Sequence, residues 1–316
     1  MKTLRQWLHA STLPAGLSIT HVAGKVNKLG LLSPICNIIS ILNLVRGSMY
    51  RQKKYKSDNF IEYEIRHKGQ YGAKGEKRAP KKKATSEQIK KQNLRNKINR
   101  IRRTLQLNFY PNDIWLTLKY PKGMRKSLEE VKKDMTKFQN GLRKDYKLRG
   151  EQFKWVRRIE IGRNGGIHAH YVINRIFGSE LLIQKNWPDG FVHFTNIRGD
   201  EGMAALAEYI AKPIPEEVKQ ISFDFIEPED IKRCMDVQTS RNLIRPDPEV
   251  KEYKRKTVRK LLTGDIKPTE GYYVDKDSIQ FGVNPITGYS YLTYRELRIK
   301  PISRIIKLPP EGRMRC

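Results

Sequence analysis

Two short runs constrain this chain more than anything else in it. Phe153 to Ile161 reads FKWVRRIEI and Ile167 to Asn174 reads IHAHYVIN, with the glycine-rich GRNGG between them. Side chains alternate across a strand. Ile159 and Ile161, with Ile167, Ala169, Tyr171 and Ile173, therefore line one apolar face. Arg158, Glu160, His168 and His170 line the other. A hairpin closed at Gly162 and Gly166 opposes Ile161 with Ile167, Glu160 with His168, and Arg158 with His170. A slip of one residue would drive Glu160 into the apolar layer, so burial of that layer fixes the register.

The neighbouring sequence supplies what the apolar face needs. DIWLTLKYP predicts a strand from Ile114 to Tyr120. A helix follows from Ser127, with Ser127 and Glu130 as a capping box and Gly150 as its stop. Its apolar stripe is Leu128, Val131, Met135, Phe138, Leu142 and Tyr146. GFVHFTNI reads as another strand, before a helix that begins near Asp200 and ends before Pro213. The order strand, helix, strand, strand, strand, helix predicts an α+β fold, an antiparallel sheet with helices packed on one face.

The flanks are basic. Lys and Arg number 63 against 33 Asp and Glu, a formal net charge of +30. Such an excess self-repels unless a polyanion is near, and nucleic acid is the usual one, ahead of an anionic membrane. Residues 85 to 107 predict a helix, with Thr85 and Gln88 as a capping box and Ile89, Leu94, Ile98, Ile101 and Leu105 as a rough stripe. Its Lys90, Lys91, Arg95, Lys97, Arg100, Arg102 and Arg103 are candidates for phosphate contact. Glu249 to Leu262 reads as a second basic helix, offering Lys254, Arg255, Lys256, Arg259 and Lys260. Phe60 to Ile65 predicts a short strand, and the region from Gly271 to Leu297 predicts strands around an Asn-Pro-Ile-Thr-Gly turn. Trp115, Trp155, Tyr171 and Trp187 could stack on bases, although aromatic residues in strands are more often core.

Several classes drop out. Cys36, Cys234 and Cys316 form no C-x-x-C pair, which disfavours a zinc finger or a disulfide framework and suits a reducing cytoplasm. The longest apolar run, Leu29 to Val45, is broken by Ser33, Pro34 and Asn37 and reads as non-spanning. No stretch has the G-x-x-x-x-G-K-[ST] pattern of an ATP-binding loop. Residues 1–48 carry no acidic residue, and the composition turns abruptly charged at Met49. Two expectations follow: an upstream extension ahead of a natural start at Met49, or an N-terminal segment.

The polar face of the hairpin offers chemistry. Two imidazoles and a carboxylate, His168, His170 and Glu160, suit a divalent metal with open positions. His193 in the next strand reads as an ordinary strand histidine. MAALAEYIAKP places Tyr209 and Lys212 at i and i+3 on a helix, so both can point the same way. A tyrosine hydroxyl titrates near pH 10 and needs help to act as a nucleophile, which a nearby cation can give. The residues leave other readings open. One is a basic nucleic-acid-binding protein without catalysis, with structural histidines. Another is a hydrolytic nuclease that activates water at the histidine pair.

The three segments IWLTLKYP, GGIHAHYVI and YIAKP, in that order, resemble the motifs of HUH endonucleases, and above all single-tyrosine rolling-circle replication initiators of plasmids, phages and integrative elements. The resemblance covers Ile114 to Pro213, with Lys119 standing where many such proteins carry a small polar residue. It implies a palm-like antiparallel sheet with the histidines on a central strand, and Mg²⁺ or Mn²⁺ as cofactor. It implies that Tyr209 attacks a phosphodiester of single-stranded origin DNA and keeps the 5′ phosphate, assisted by Lys212. It implies a host helicase and polymerase as partners, in a bacterial cytoplasm. A transposase or relaxase of a mobile element shares the chemistry; relaxases usually place the tyrosine before the histidines. On this reading residues 49–107 form a basic DNA-binding arm, 108–213 the catalytic domain and 214–316 a basic C-terminal region.

Overall fold

The structure, a computed structural model, describes residues 49–68, 84–162, 166–188, 190–213, 235–254, 261, 266–283 and 290–308. The upstream extension expected at 1–48, the Asn-Pro-Ile-Thr-Gly turn, and Arg255, Lys256, Arg259 and Lys260 lie outside these residues. In chain order the elements are β1 (Met49–Lys56), β2 (Phe60–His67), α1 (Ser86–Asn108), β3 (Ile114–Lys119), α2 (Leu128–Leu148), β4 (Trp155–Ile161), β5 (Ile167–Ile173), α3 (Ser179–Asn186), β6 (Phe191–Asn196), α4 (Asp200–Ala211), β7 (Gln238–Thr239), β8 (Glu249–Lys254), β9 (Tyr272–Val283) and β10 (Ser290–Arg298). They build an α+β fold with two antiparallel five-stranded sheets.

The chain divides into two units. One gathers Met1–Thr85 with Asp247–Lys300, the other Ser86–Pro246 with Pro301–Cys316. This differs from the expected order of arm, catalytic domain and C-terminal region. The reason is strand pairing between segments distant in sequence. β1 and β2 are completed by β8, β9 and β10 into a sheet of order β8-β1-β2-β10-β9. Its core is Tyr50, Ile61, Tyr63, Ile65, Leu292 and Tyr294, with Tyr63 and Tyr294 stacked at 4.6 Å.

The first part of the basic helix expected over Glu249 to Leu262 is corrected here: Glu249–Lys254 is a strand. β8 adds to the edge of β1 with Glu252 opposite Arg51 and Glu249 opposite Lys54. Hydrogen bonds along that edge and the opposed charges outweigh the modest helix preference of Glu and Lys.

The second unit holds the sheet β6-β3-β5-β4-β7, with β5 at its centre. The hairpin register is the expected one: Ile161 opposes Ile167, Glu160 opposes His168, and Arg158 opposes His170. Gly162 N–H donates to Gly166 O at 2.8 Å and closes it. On the apolar face, Val131, Met135, Phe138, Leu142 and Tyr146 of α2 pack against Leu116, Ile159 and Tyr171. The Ser127–Glu130 capping box starts α2, and Gly150 at φ 74° ends it. α3 joins this layer through Leu182 and Ile183. Eight residues with little periodicity had given no sign of it. The last turn of α4 reaches the opposite, polar face, where α1 packs against α4.

Candidate active site

Parity along three adjacent strands decides what meets on the polar face. Thr117 on β3 opposes His170 on β5, which opposes Arg158 on β4; one step along, Lys119, His168 and Glu160 form the next row. Tyr209 comes down onto this face from α4. Its hydroxyl donates to Glu160 Oε2 at 2.6 Å and lies 3.2 Å from His170 Nε2. His170 Nε2 is 2.9 Å from the same Glu160 oxygen, and Thr117 Oγ1 is 3.1 Å from His170 Nδ1. A hydroxyl can donate or accept, so Thr117 can hold either tautomer of His170. Trp115 stacks on the imidazole at 5.3 Å and meets the Tyr209 ring edge-on at 5.7 Å. The tyrosine ring is thus boxed between helix and sheet, yet Tyr209 is 38% exposed.

Arg158 fixes the helix that carries the tyrosine. Its side chain is only 2% exposed, and Nη1 donates to Tyr209 O at 2.9 Å and Ile210 O at 2.8 Å. A cation on the last carbonyls of a helix satisfies groups that lack intrahelical partners and opposes the helix dipole. Burial lowers the guanidinium pKa, and Glu160 beside it works the other way.

The electrostatics are set by Glu160. Its hydrogen bond to His170 holds the carboxyl at about 2, against the cost of burial. The Tyr209 hydroxyl is pushed well above its ordinary value, first by burial and then by the Glu160 carboxylate. Burial, then Lys119, lowers the His168 pKa below its ordinary value. In this arrangement Tyr209 is a protonated phenol that donates to a carboxylate.

Among the described residues, no group of three His, Cys, Asp or Glu side chains is placed to hold an ion. Two of the expected donors do converge. Glu160 Oε2 and His170 Nε2 lie 2.9 Å apart, in hydrogen-bond contact with each other. His168 stands off, its ring centroid 6.4 Å from that of His170 and perpendicular to it. The donors available on this face, two imidazoles and a carboxylate, suit a divalent ion, and Thr117 supplies the outer partner that orients a ligating imidazole.

Other sequence expectations divide. Lys212 is one residue past α4, with φ −45° and ψ 133°, and does not share a helical face with Tyr209. Pro213 explains this, because the residue before a proline is driven out of the helical region. Lys212 is exposed. On α1, Lys90, Lys91, Arg95 and Arg100 are exposed and Arg103 is half-buried, whereas Arg102 is buried and Lys97 pairs with Asp236 at 2.7 Å. Lys254 lies on β8, opposite Met49. Trp155, Tyr171 and Trp187 are core residues. Sequence reasoning missed the positioning role of Arg158, which an arginine facing His170 on the polar face could have signalled. It also missed Phe191, 65% exposed on β6 and opposite Lys119 on the polar face.

No curated protein and no solved structure matches the chain. Residues 113–214, which carry β3 to α4 and every residue of this site, match the replication-associated protein ORF2 family, and that similarity supports a role in replication initiation.

Proposed function

We propose that this protein is a tyrosine-dependent DNA strand transferase that initiates rolling-circle replication by nicking and later rejoining a single strand at an origin. One observation carries the reading. Tyr209, Glu160 and His170, from α4, β4 and β5, meet within hydrogen-bond distance around one accessible hydroxyl.

In the forward step Tyr209 Oη attacks the phosphorus, a P–Oη bond forms and the P–O3′ bond breaks. The 5′ phosphate stays on the tyrosine, and the 3′ oxygen leaves and takes up a proton. The phenol loses its proton as the P–Oη bond forms and the leaving 3′ oxygen gains one, so the step balances with no proton left on Glu160 or His170, the residues proposed as ligands. Arg158 holds the attacking residue through its backbone, which limits the orientations the hydroxyl can take. Glu160, His168 and His170 would hold Mg²⁺ or Mn²⁺. Such an ion offsets the Glu160 charge that disfavours the phenolate and polarises the scissile phosphate. Lys119 and the exposed ring of Phe191 extend the polar face toward β6. There a base could stack while its phosphate meets the lysine.

The test is a denaturing protein gel after incubation with end-labelled single-stranded origin DNA and Mn²⁺. A labelled protein band that disappears in Tyr209→Phe and with EDTA is the expected result. Cleaved DNA with no labelled band would replace the proposal with a hydrolytic nuclease.

A further inference from the structure

α2 buries one side in the core and turns a lysine-lined trough outward. The trough has a volume of about 740 Å³ and is lined by Lys132, Lys133, Thr136, Lys137, Lys144 and Asn186, among others. Lys133, Lys137 and Lys144 follow one another at i, i+4 and i+11, which keeps them on one side of the helix and spreads them over about 16 Å. The trough exists because α3 comes close. A Cβ on Gly141 would lie 1.8 Å from Asn186 Oδ1, so the Asn186 side chain occupies the space that glycine leaves open.

The charge in this trough is not neutralised. Of the four carboxylates on α2, Asp134 pairs with Lys126 at 2.6 Å, Asp145 with Lys185 at 3.2 Å, Glu130 is bonded to Ser127 in the capping box, and Glu129 makes no ion pair with these lysines. Among the described residues, none of Lys132, Lys133, Lys137 and Lys144 has a carboxylate within ion-pair distance. Four ammonium groups held side by side repel one another unless a polyanion lies among them. The trough also lies behind the sheet. α2 packs on the face that carries Leu116 and Tyr171, whereas Tyr209 meets the face that carries His170.

We propose that this trough is a second nucleic-acid contact, which takes the phosphodiester backbone of DNA outside the strand at Tyr209. Lysine binds phosphate as a point charge with no demand on base identity, so the contact is independent of sequence. It adds grip on duplex or displaced strand while the scissile strand occupies the opposite face. It does not depend on whether Tyr209 cleaves.

The experiment compares the full chain with two variants of equal charge loss. In one, Lys132, Lys133, Lys137 and Lys144 are all changed to Gln; in the other, Lys267, Lys276, Lys300 and Lys307 are. Affinity for a long origin duplex with a single-stranded flank is measured across a salt series. Each phosphate contact contributes about 0.9 to the slope of log K against log salt. The trough variant is expected to lose up to about 3.6 from that slope and to bind at least about tenfold more weakly, with the second variant much less affected. Adduct formation with an oligonucleotide just long enough to fill the Tyr209 site stays unchanged. Equal losses in the two variants would reduce the trough to bulk charge and overturn the proposal. So would no loss in either, or a matching fall in adduct formation on the short strand. Absence of any adduct in the unaltered protein would instead remove the cleavage reading, and the salt slopes would still decide the trough.

Discussion

Arg158 holds Tyr209 by its backbone, while Glu160 holds it by its hydroxyl. On the proposed reading Tyr209 is the nucleophile, and one fixed at both ends has little freedom; an error of about 1 Å can cost roughly a hundredfold in rate. Arg158→Met removes the side-chain donor from Ile210 O and leaves Tyr209 O with only the Lys212 N–H at 3.3 Å; a buried carbonyl left unpaired costs about 1–3 kcal/mol. We expect a lower melting temperature and about a hundredfold slower adduct formation, with single-strand affinity nearly unchanged and partial rescue by Arg158→Lys. Loss of affinity and rate in equal measure would assign Arg158 to the substrate. Phe191 belongs at the same scale. If its exposed ring stacks on a base, Phe191→Ala weakens single-strand binding by about 1–3 kcal/mol, and Phe191→Tyr does not. Fluorescence anisotropy with a short labelled strand measures it. Of these residues, His168, His170, Glu160 and Tyr209 stood out as candidates from alternation and spacing. Arg158 and Phe191 were not, because their roles depend on which helix lies over them and which strand lies at the edge.

At the scale of elements, local signals served well where each element carries its own start and stop. α2 has both, and its boundaries follow the Ser127–Glu130 box and Gly150. Glu130 accepts from the Ser127 backbone and hydroxyl, which holds its carboxyl below the ordinary value. A depressed folded-state value means that the stabilisation is present above the unfolded value. It is lost as pH falls through the folded one. The melting-temperature gap between the parent protein and Glu130→Ala should therefore be constant near neutrality and close as pH drops through the acidic range. A gap that widens in acid would contradict this account. β8 shows where local signals fail. EVKEYK suits a helix as well as a strand by composition, and only the open edge of β1, with Arg51 and Lys54 facing Glu252 and Glu249, decides between them. Lys212 failed for a local reason, since Pro213 ends the helix one residue too early for i, i+3 pairing.

For the whole molecule, the chain leaves the second unit after Pro246 and returns to it at Pro301. Arg304 secures the return within that unit. Its Nε and Nη2 each lie 2.9 Å from a different oxygen of Asp113, whose side chain is fully buried at the start of β3. Removing one partner of a buried pair leaves an uncompensated charge and typically costs about 3–5 kcal/mol. Arg304→Met should destabilise the protein by that order in denaturant melts, and adding Asp113→Asn should recover part of the loss. Additive losses would mean that the pair does not act as a unit. The sequence by itself determined the hairpin register, the α2 layer and the residues of the polar face, because alternation against one buried side excludes odd slips and the short glycine turn excludes even ones. Its net charge of +30 also favours a polyanion as partner. Only the tertiary structure decided that residues near Met49 and near Arg298 share one sheet, that α4 sets its tyrosine on Glu160 and His170, and that α2 leaves four lysines without partners. Those outcomes rest on pairing and packing between segments far apart in the chain, where no local period or cap carries the information.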